Sequence, residues 1–145
     1  MNTSVDLSRF VDAHKKSYQT ALKEITNGRK CSHWMWFIFP QVYGLGKSTT
    51  SQYYAIKSKD EAVAFLSDPY LGSNLREISE ALLHLKTSNP TEVFGKPDDY
   101  KLKSSMTLFA TISEDNSVFH KVLNKYYDGR QDMRTIRFLS EMLND

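Results

Sequence analysis

Along most of this chain, apolar residues recur in steps of three and four. Leu7, Phe10, Val11, Tyr18, Ala21, Leu22 and Ile25 fall on one helical line with His14 and Ser17. The line predicts a first helix of about 21 residues, roughly 30 Å long, after a short lead over residues 1–6. Asp6 suits its N-cap, and Gly28 suits the left-handed position after its last turn. Further on, Ser58-x-x-Glu61 has the form of a capping box ahead of Ala62, Phe65 and Leu66, a short helix that Pro69 stops. Leu71-Gly72 opens a longer helix with Leu75, Ile78, Ser79, Leu82, Leu83 and Leu85 inward. Asn89-Pro90-Thr91-Glu92 starts a turn or so of helix. Asp98 or Asp99 is expected to cap Tyr100–Ile112, with Leu102, Met106, Phe109 and Ala110 inward. Asn116 begins a helix that Gly129 closes, and Asp132 begins the last, with Ile136, Leu139 and Leu143 inward.

One stretch breaks this rhythm. Trp34-Met35-Trp36-Phe37-Ile38-Phe39-Pro40 is continuously apolar and carries both tryptophans. It predicts a short buried helix, because no neighbouring segment offers a strand partner and Pro40 ends it. Val42 to Gln52 reads as loop, punctuated by Gly44 and Gly46. The expected fold is all-α: one compact multihelical domain over residues 1–145, with about six or seven helices.

Composition changes this picture little. A length of 145 residues with 40% apolar and 25% charged residues is that of an ordinary globular domain able to bury a core without staples. The formal charge of +2 is too small to argue for nucleic acid. A lone cysteine, Cys31, forms no internal disulfide and points to a reducing compartment. No leader pattern and no membrane-length apolar run stands out, so a cytoplasmic location without membrane contact is expected.

An apolar wall beside a polar, cationic loop is how a small-molecule pocket looks in sequence. Gly46-Lys47-Ser48 resembles the end of a P-loop, but Gln41 stands where that motif needs its first glycine and no strand pattern precedes it. What survives is an anion-holding loop: Gly44 and Gly46 let the backbone approach a ligand, and Lys47 and Ser48 hold a negative group. A second candidate face lies on the helix after Pro97. Lys101 and Ser105 are one turn apart there, with Ser104 beside Lys101. The set suits anion binding, or a nucleophile–base pair if the lysine is desolvated. Trp34 and Trp36 lie roughly 200° apart on a helix, so one of them is the better ligand-stacking candidate. His33, Asp98 and Asp99 are the acid–base candidates. No histidine or cysteine spacing suggests zinc, and no cofactor is implied. Arg130 to Thr135 reads as loop and N-cap, relevant to the site only if the fold returns it to the first loop.

The residues Arg29-Lys30-x-Ser32-His33-Trp34-Met35-Trp36-Phe37-Ile38-Phe39-Pro40-Gln41-x-x-Gly44-Leu45-Gly46 resemble the signature of domain-of-unknown-function family 1810. The likeness continues through Tyr54-Ala55-Ile56, Leu71-Gly72-x-x-Leu75, Phe94-Gly95-x-Pro97-Asp98-Asp99-x-Lys101-Leu102-x-Ser104-Ser105-Met106-Thr107-Leu108-Phe109 and Tyr126-x-x-Gly129-x-x-Asp132. The resemblance implies a bacterial, intracellular, multihelical protein and brings no settled activity. Members are sometimes labelled calpastatin, an extended protease inhibitor, which this aromatic composition contradicts. A looser likeness, to the all-helical family that hydrolyses ADP-ribosyl or ribosyl N-glycosidic bonds, rests on a tryptophan-bearing segment followed by a basic helix containing methionine.

Two functional readings follow. In the first, the two segments form a pocket for a small anionic, nucleotide-like ligand of the ADP-ribose or N-glycoside kind, with His33, one tryptophan, Gln41 and Lys47 on one wall and Lys101, Ser104 and Ser105 on the other. The protein then acts as a sensor or, if an enzyme, as a hydrolase. In the second, the aromatic 33–43 segment is an exposed docking patch for another protein, with no catalysis. The oligomeric state is open on either reading.

Overall fold

The computed structural model describes residues 5–143. Among them are nine helices: α1 (Ser8–Thr26), α2 (Met35–Ile38), α3 (Thr49–Tyr54), α4 (Lys59–Ser67), α5 (Pro69–Leu83), α6 (Pro90–Phe94), α7 (Asp98–Thr111), α8 (Val118–Tyr127) and α9 (Met133–Leu143). Three of them, α2, α3 and α6, are short turns of four, six and five residues. The fold is all-α, with the six longer helices matching the segments that the periodicity predicted. Most of the expected lead over residues 1–6, and the side chain of Leu143, lie outside the described residues.

At the centre is α7. From Leu102 to Ala110 every residue except Lys103 is buried, because the segment carries apolar or small side chains all round, and such a helix belongs in the interior. It packs against α8 and α9, meets α6 near its start and touches α4; α1 pairs with α5, which in turn reaches α8. Phe10, Phe65, Phe109 and Phe119 form a chain of ring contacts across these helices, with centroids 4.9, 5.5 and 5.8 Å apart. Offset and edge-on geometries of this kind stabilise a core beyond the area they bury.

Local capping chemistry explains most helix starts. Asn89 Oδ1 accepts from the Thr91 N–H at 2.9 Å, and Asp68 Oδ2 accepts from Tyr70 and Leu71 at 3.1 and 2.8 Å ahead of Pro69. Three expectations need correction. The loop assigned to Val42–Gln52 winds into α3 instead, because Ser48 Oγ accepts from the Ser51 N–H at 3.1 Å and caps it. The Ser58–Glu61 box forms only in half. Ser58 Oγ accepts from the Glu61 N–H at 3.0 Å, but the Glu61 carboxylate takes Arg9 of α1 in a bidentate pair at 3.2 and 3.0 Å. The same carboxylate still accepts one backbone amide, the Lys57 N–H at 2.9 Å, one residue before the cap. Finally, neither Asp98 nor Asp99 holds the cap position of α7, which falls to Pro97; Asp99 Oδ1 still accepts the first-turn Tyr100 N–H at 2.9 Å, while Asp98 pairs with lysines.

Candidate functional site

The apolar run is placed by one carboxylate in α1. Glu24 accepts from the Cys31 and Ser32 N–H groups at 2.7 and 2.9 Å, from Ser32 Oγ at 2.5 Å and from the Trp34 indole N–H at 2.9 Å. Burial by itself would raise the Glu24 pKa. The hydrogen bonds from Ser32, Cys31 and Trp34 outweigh it and bring the group down to about 2. Trp34 is thereby drawn inward and is 1% exposed, with its ring against Phe39 and Phe94. Met35, Phe37, Ile38 and Phe39 are buried with it. Trp36 is half-buried on the opposite side. Of the two tryptophans, only Trp36 faces the side on which polar groups gather.

After Pro40 the chain is closed by a parallel β-bridge between Val42 and Ile56. In it Tyr43 N–H donates to the Ile56 carbonyl and Ile56 N–H to the Gln41 carbonyl, both at 2.8 Å. This clasp holds Gln41 to Gly46 over the start of α7. The glycines serve the loop itself. Gly44 has φ +106 and lies against Phe138 of α9, while a Cβ on Gly46 would sit 2.6 Å from Ser51 Cβ and Oγ. Gly46→Ala is expected to cost about 1–2 kcal/mol through this overlap, read as a lower urea midpoint with an unchanged slope.

A solvent-open cleft of about 360 Å³ lies between that loop, the first turns of α7 and the start of α9. Gln41, Leu45 and Gly46 form one side, Pro97, Tyr100, Lys101 and Ser104 the floor, and Asp132 and Arg134 the far side. Lys101 Nζ lies 5.7 Å from the centre of the Trp36 ring and 3.5 Å from Asp98 Oδ1. Asp98 is shared, since its other oxygen is 3.0 Å from Lys30 Nζ. Two lysines on one carboxylate leave the group cationic. Ser104 Oγ lies 3.2 Å from both Asp132 Oδ2 and the Tyr100 carbonyl, which share its single donor proton. Asp132 in turn caps α9 by accepting the Thr135 N–H at 3.1 Å and the Thr135 hydroxyl at 2.5 Å.

The two faces picked from sequence therefore meet in part. Gln41, Gly46, Lys101 and Ser104 line the cleft, with Trp36 at its edge beside Gln41 and Gly46. Gly44 and Lys47 do not line it, and Ser48 is spent on capping α3. Ser105 is fully buried, and its Oγ has no hydrogen-bond partner among the described residues. Trp34 is packed away with Glu24. The acid–base candidates also fall outside: His33 is exposed elsewhere, Asp99 is buried and accepts from Thr91 Oγ1 at 2.7 Å, and Asp98 reaches the cleft only through Lys101. The Ser–Lys nucleophile pair is not formed, because Lys101 turns to Asp98 and Trp36 while Ser104 bonds to Asp132. The carboxylate that lines the cleft is Asp132. It and Arg134 belong to the segment that sequence reasoning read as loop and cap, since only the tertiary packing of α9 on α7 brings it here. A wider hollow of about 620 Å³ between α5 and the start of α8 contains none of the candidate site residues.

The profile of the family described as "Protein of unknown function (DUF1810)" matches residues 4–139. The chain belongs to this family. It is also similar to a solved structure, the conserved hypothetical protein Rv1873 from Mycobacterium tuberculosis. The two share 44% identity over 93% of this chain and 96% of that one, with a TM-score of 0.90. No functionally curated protein matches the chain. The family match spans the loop, α7 and the Asp132 turn, so the whole cleft lies within the DUF1810 region. No helix among its described residues is long and apolar enough to cross a membrane. The docking-patch reading of residues 33–43 requires exposed tryptophans. In this DUF1810 chain Trp34 is buried and Trp36 half-buried, and Tyr43, at 45% exposed, is the segment's large exposed aromatic.

Proposed function

We propose that the cleft binds a small anionic, nucleotide-like ligand. The observation that carries this reading is the convergence of Lys101 and Arg134 on one cleft that also offers a flat aromatic side chain and several hydrogen-bonding groups. Lys101 and Arg134 face a phosphate, with the Gln41 side chain adding a neutral partner. Tyr100, 67% exposed at the mouth, offers its ring to a base or other planar group. The first turn of α9 contributes the positive end of its dipole on the same side. A volume of about 360 Å³ is at the lower end of small-ligand sites, suited to a mononucleotide or sugar phosphate more than to a long dinucleotide.

The test is tryptophan fluorescence and thermal shift against ADP-ribose, NAD, mono- and dinucleotides and sugar phosphates. Trp36 is the reporter because Lys101 sits over its ring. The expected result is saturable binding that weakens with salt. In Lys101→Ala it should be weaker by about 10- to 100-fold, the loss of one charge-assisted hydrogen bond. Silence across the panel, or an alanine variant that binds like the parent, would sink the reading.

A further inference from the structure

We infer that Asp132 reads the sugar hydroxyls of the ligand and makes the cleft selective for ribosyl over deoxyribosyl phosphates. The inference rests on the anionic, nucleotide-like reading above and assigns a role to the residue that reading leaves unexplained. A site built only for a phosphate gains nothing from a carboxylate, because like charges repel across a few ångströms. Yet Asp132 lines the same cleft as Lys101 and Arg134. A ligand that carries donors as well as an anion resolves the conflict.

The carboxylate is held so that one oxygen is spent and the other is left over. The Thr135 N–H, the Thr135 hydroxyl and the Ser104 hydroxyl all donate to Oδ2, at 3.1, 2.5 and 3.2 Å. The backbone is fixed as well, since the Asp132 N–H donates to Thr107 Oγ1 at 2.9 Å. Thr135 and Thr107 are fully buried and Ser104 nearly so, so these anchors have little room to move. Oδ1 receives no protein donor among the described residues. Capping α9 uses a single oxygen, a task that a neutral Asn or Ser side chain also performs. The charge also favours the positive end of α9, but the second oxygen is surplus to the cap. An ionised carboxylate oxygen accepts from O–H about twice as strongly as a neutral acceptor, and the vicinal hydroxyls of a ribosyl group are donors of this kind. Asp132 is half-buried, so a ligand without these hydroxyls forfeits the charge-assisted hydrogen bonds and leaves Oδ1 to water.

Adenosine monophosphate, its 2′,3′-dideoxy analogue and inorganic phosphate separate the contributions, since the first two share base and phosphate. Isothermal titration of the full chain should show the ribosyl compound binding about tenfold or more tighter than the dideoxy one. Asp132→Asn keeps a capping oxygen, and its thermal melt checks the fold. In that variant most of the gap should close through weaker binding of the ribosyl compound, with the dideoxy compound and phosphate held as well as before or better. Equal affinity of the parent protein for the two nucleotides, with phosphate still bound, overturns the role of Asp132 and leaves the anion site standing. An undiminished gap in Asp132→Asn does the same. No binding of any of the three overturns the cleft's assignment and this inference with it. The parent comparison needs no variant, so a misfolded Asp132→Asn would not remove the test.

Discussion

Trp34→Ala is expected to cost about 4 kcal/mol of folding stability, within the range for emptying a buried aromatic site. Three separate contacts are lost at once. The ring is 1% exposed and packs against Phe39 and Phe94 at centroid distances of 6.2 and 6.4 Å. Lys30 Nζ sits 5.0 Å from its centre, and the indole N–H donates to Glu24 at 2.9 Å. Against a total of about 5–15 kcal/mol for a domain of this kind, that loss takes about a quarter or more of the stability. Trp34→Phe keeps most of the volume and loses the indole donor, so it should cost less, about 1–2 kcal/mol. Chemical denaturation followed by far-UV circular dichroism decides the matter. A loss below about 1 kcal/mol in the alanine variant would mean that the aromatic run is not part of the core. The same experiment on Trp36→Ala should give a smaller loss, because that ring is only half-buried and its role lies at the edge of the cleft.

The contrast between the two tryptophans shows what the sequence made legible. Periodicity located most of the six long helices because each buries a face defined within its own segment; α7, apolar or small all round, is buried on nearly every side. Caps at Asn89 and Ser58 were legible for the same reason, since donor and acceptor lie within three residues. The Trp34–Phe39 run was recognisable as buried, and the half-turn rotation between Trp34 and Trp36 required that they face different ways. Which one turns inward was not legible, because Glu24 decides it from α1, across the bend at Gly28. The cleft followed the same rule. Gln41, Gly46, Lys101 and Ser104 were visible as two chemically distinctive segments. Asp132 and Arg134 join them only through the packing of α9 on α7, a contact that no local pattern encodes. Lys47 looked equal to Lys101 in sequence. It differs in forming no ion pair among the described residues, whereas Lys101 is steadied by Asp98 and Trp36. Asp98 itself looked like a cap and is instead the bridge between Lys30 and Lys101, a contact across 68 residues on the Lys30 side.

A second large effect concerns pH. His14 is 1% exposed in α1, and both ring nitrogens are committed. Nε2 lies 2.8 Å from the Phe37 carbonyl and Nδ1 3.1 Å from Asn74 Nδ2. The carbonyl takes only a donor, so Nε2 carries the proton and Nδ1 accepts from the Asn74 amide. A second proton would land on Nδ1, facing the amide hydrogens, in an apolar pocket between Tyr18, Phe37 and Phe65. Burial, as the main cause, pushes the His14 pKa down to about 4, with the Phe37 carbonyl opposing it. The unfolded chain titrates near 6.5. Above that pH both states are neutral and the group contributes no pH dependence. As pH falls from 6.5 towards 4, the unfolded state takes up a proton that the folded state refuses. Stability then drops by about 1.4 kcal/mol per pH unit, or about 2 kcal/mol between pH 6.5 and 5. Glu24 acts in a lower window. Its depressed pKa contributes stability that is present above about 4.5 and is lost as pH falls towards 2. Unfolding free energies measured at pH 7, 6.5, 5.5 and 5 should therefore fall along the His14 slope before the Glu24 loss begins. His14→Phe removes the titrating group, so it should lower stability at pH 7 and flatten the curve between 6.5 and 5. An unchanged slope in that variant would show that His14 is not the group that refuses the proton.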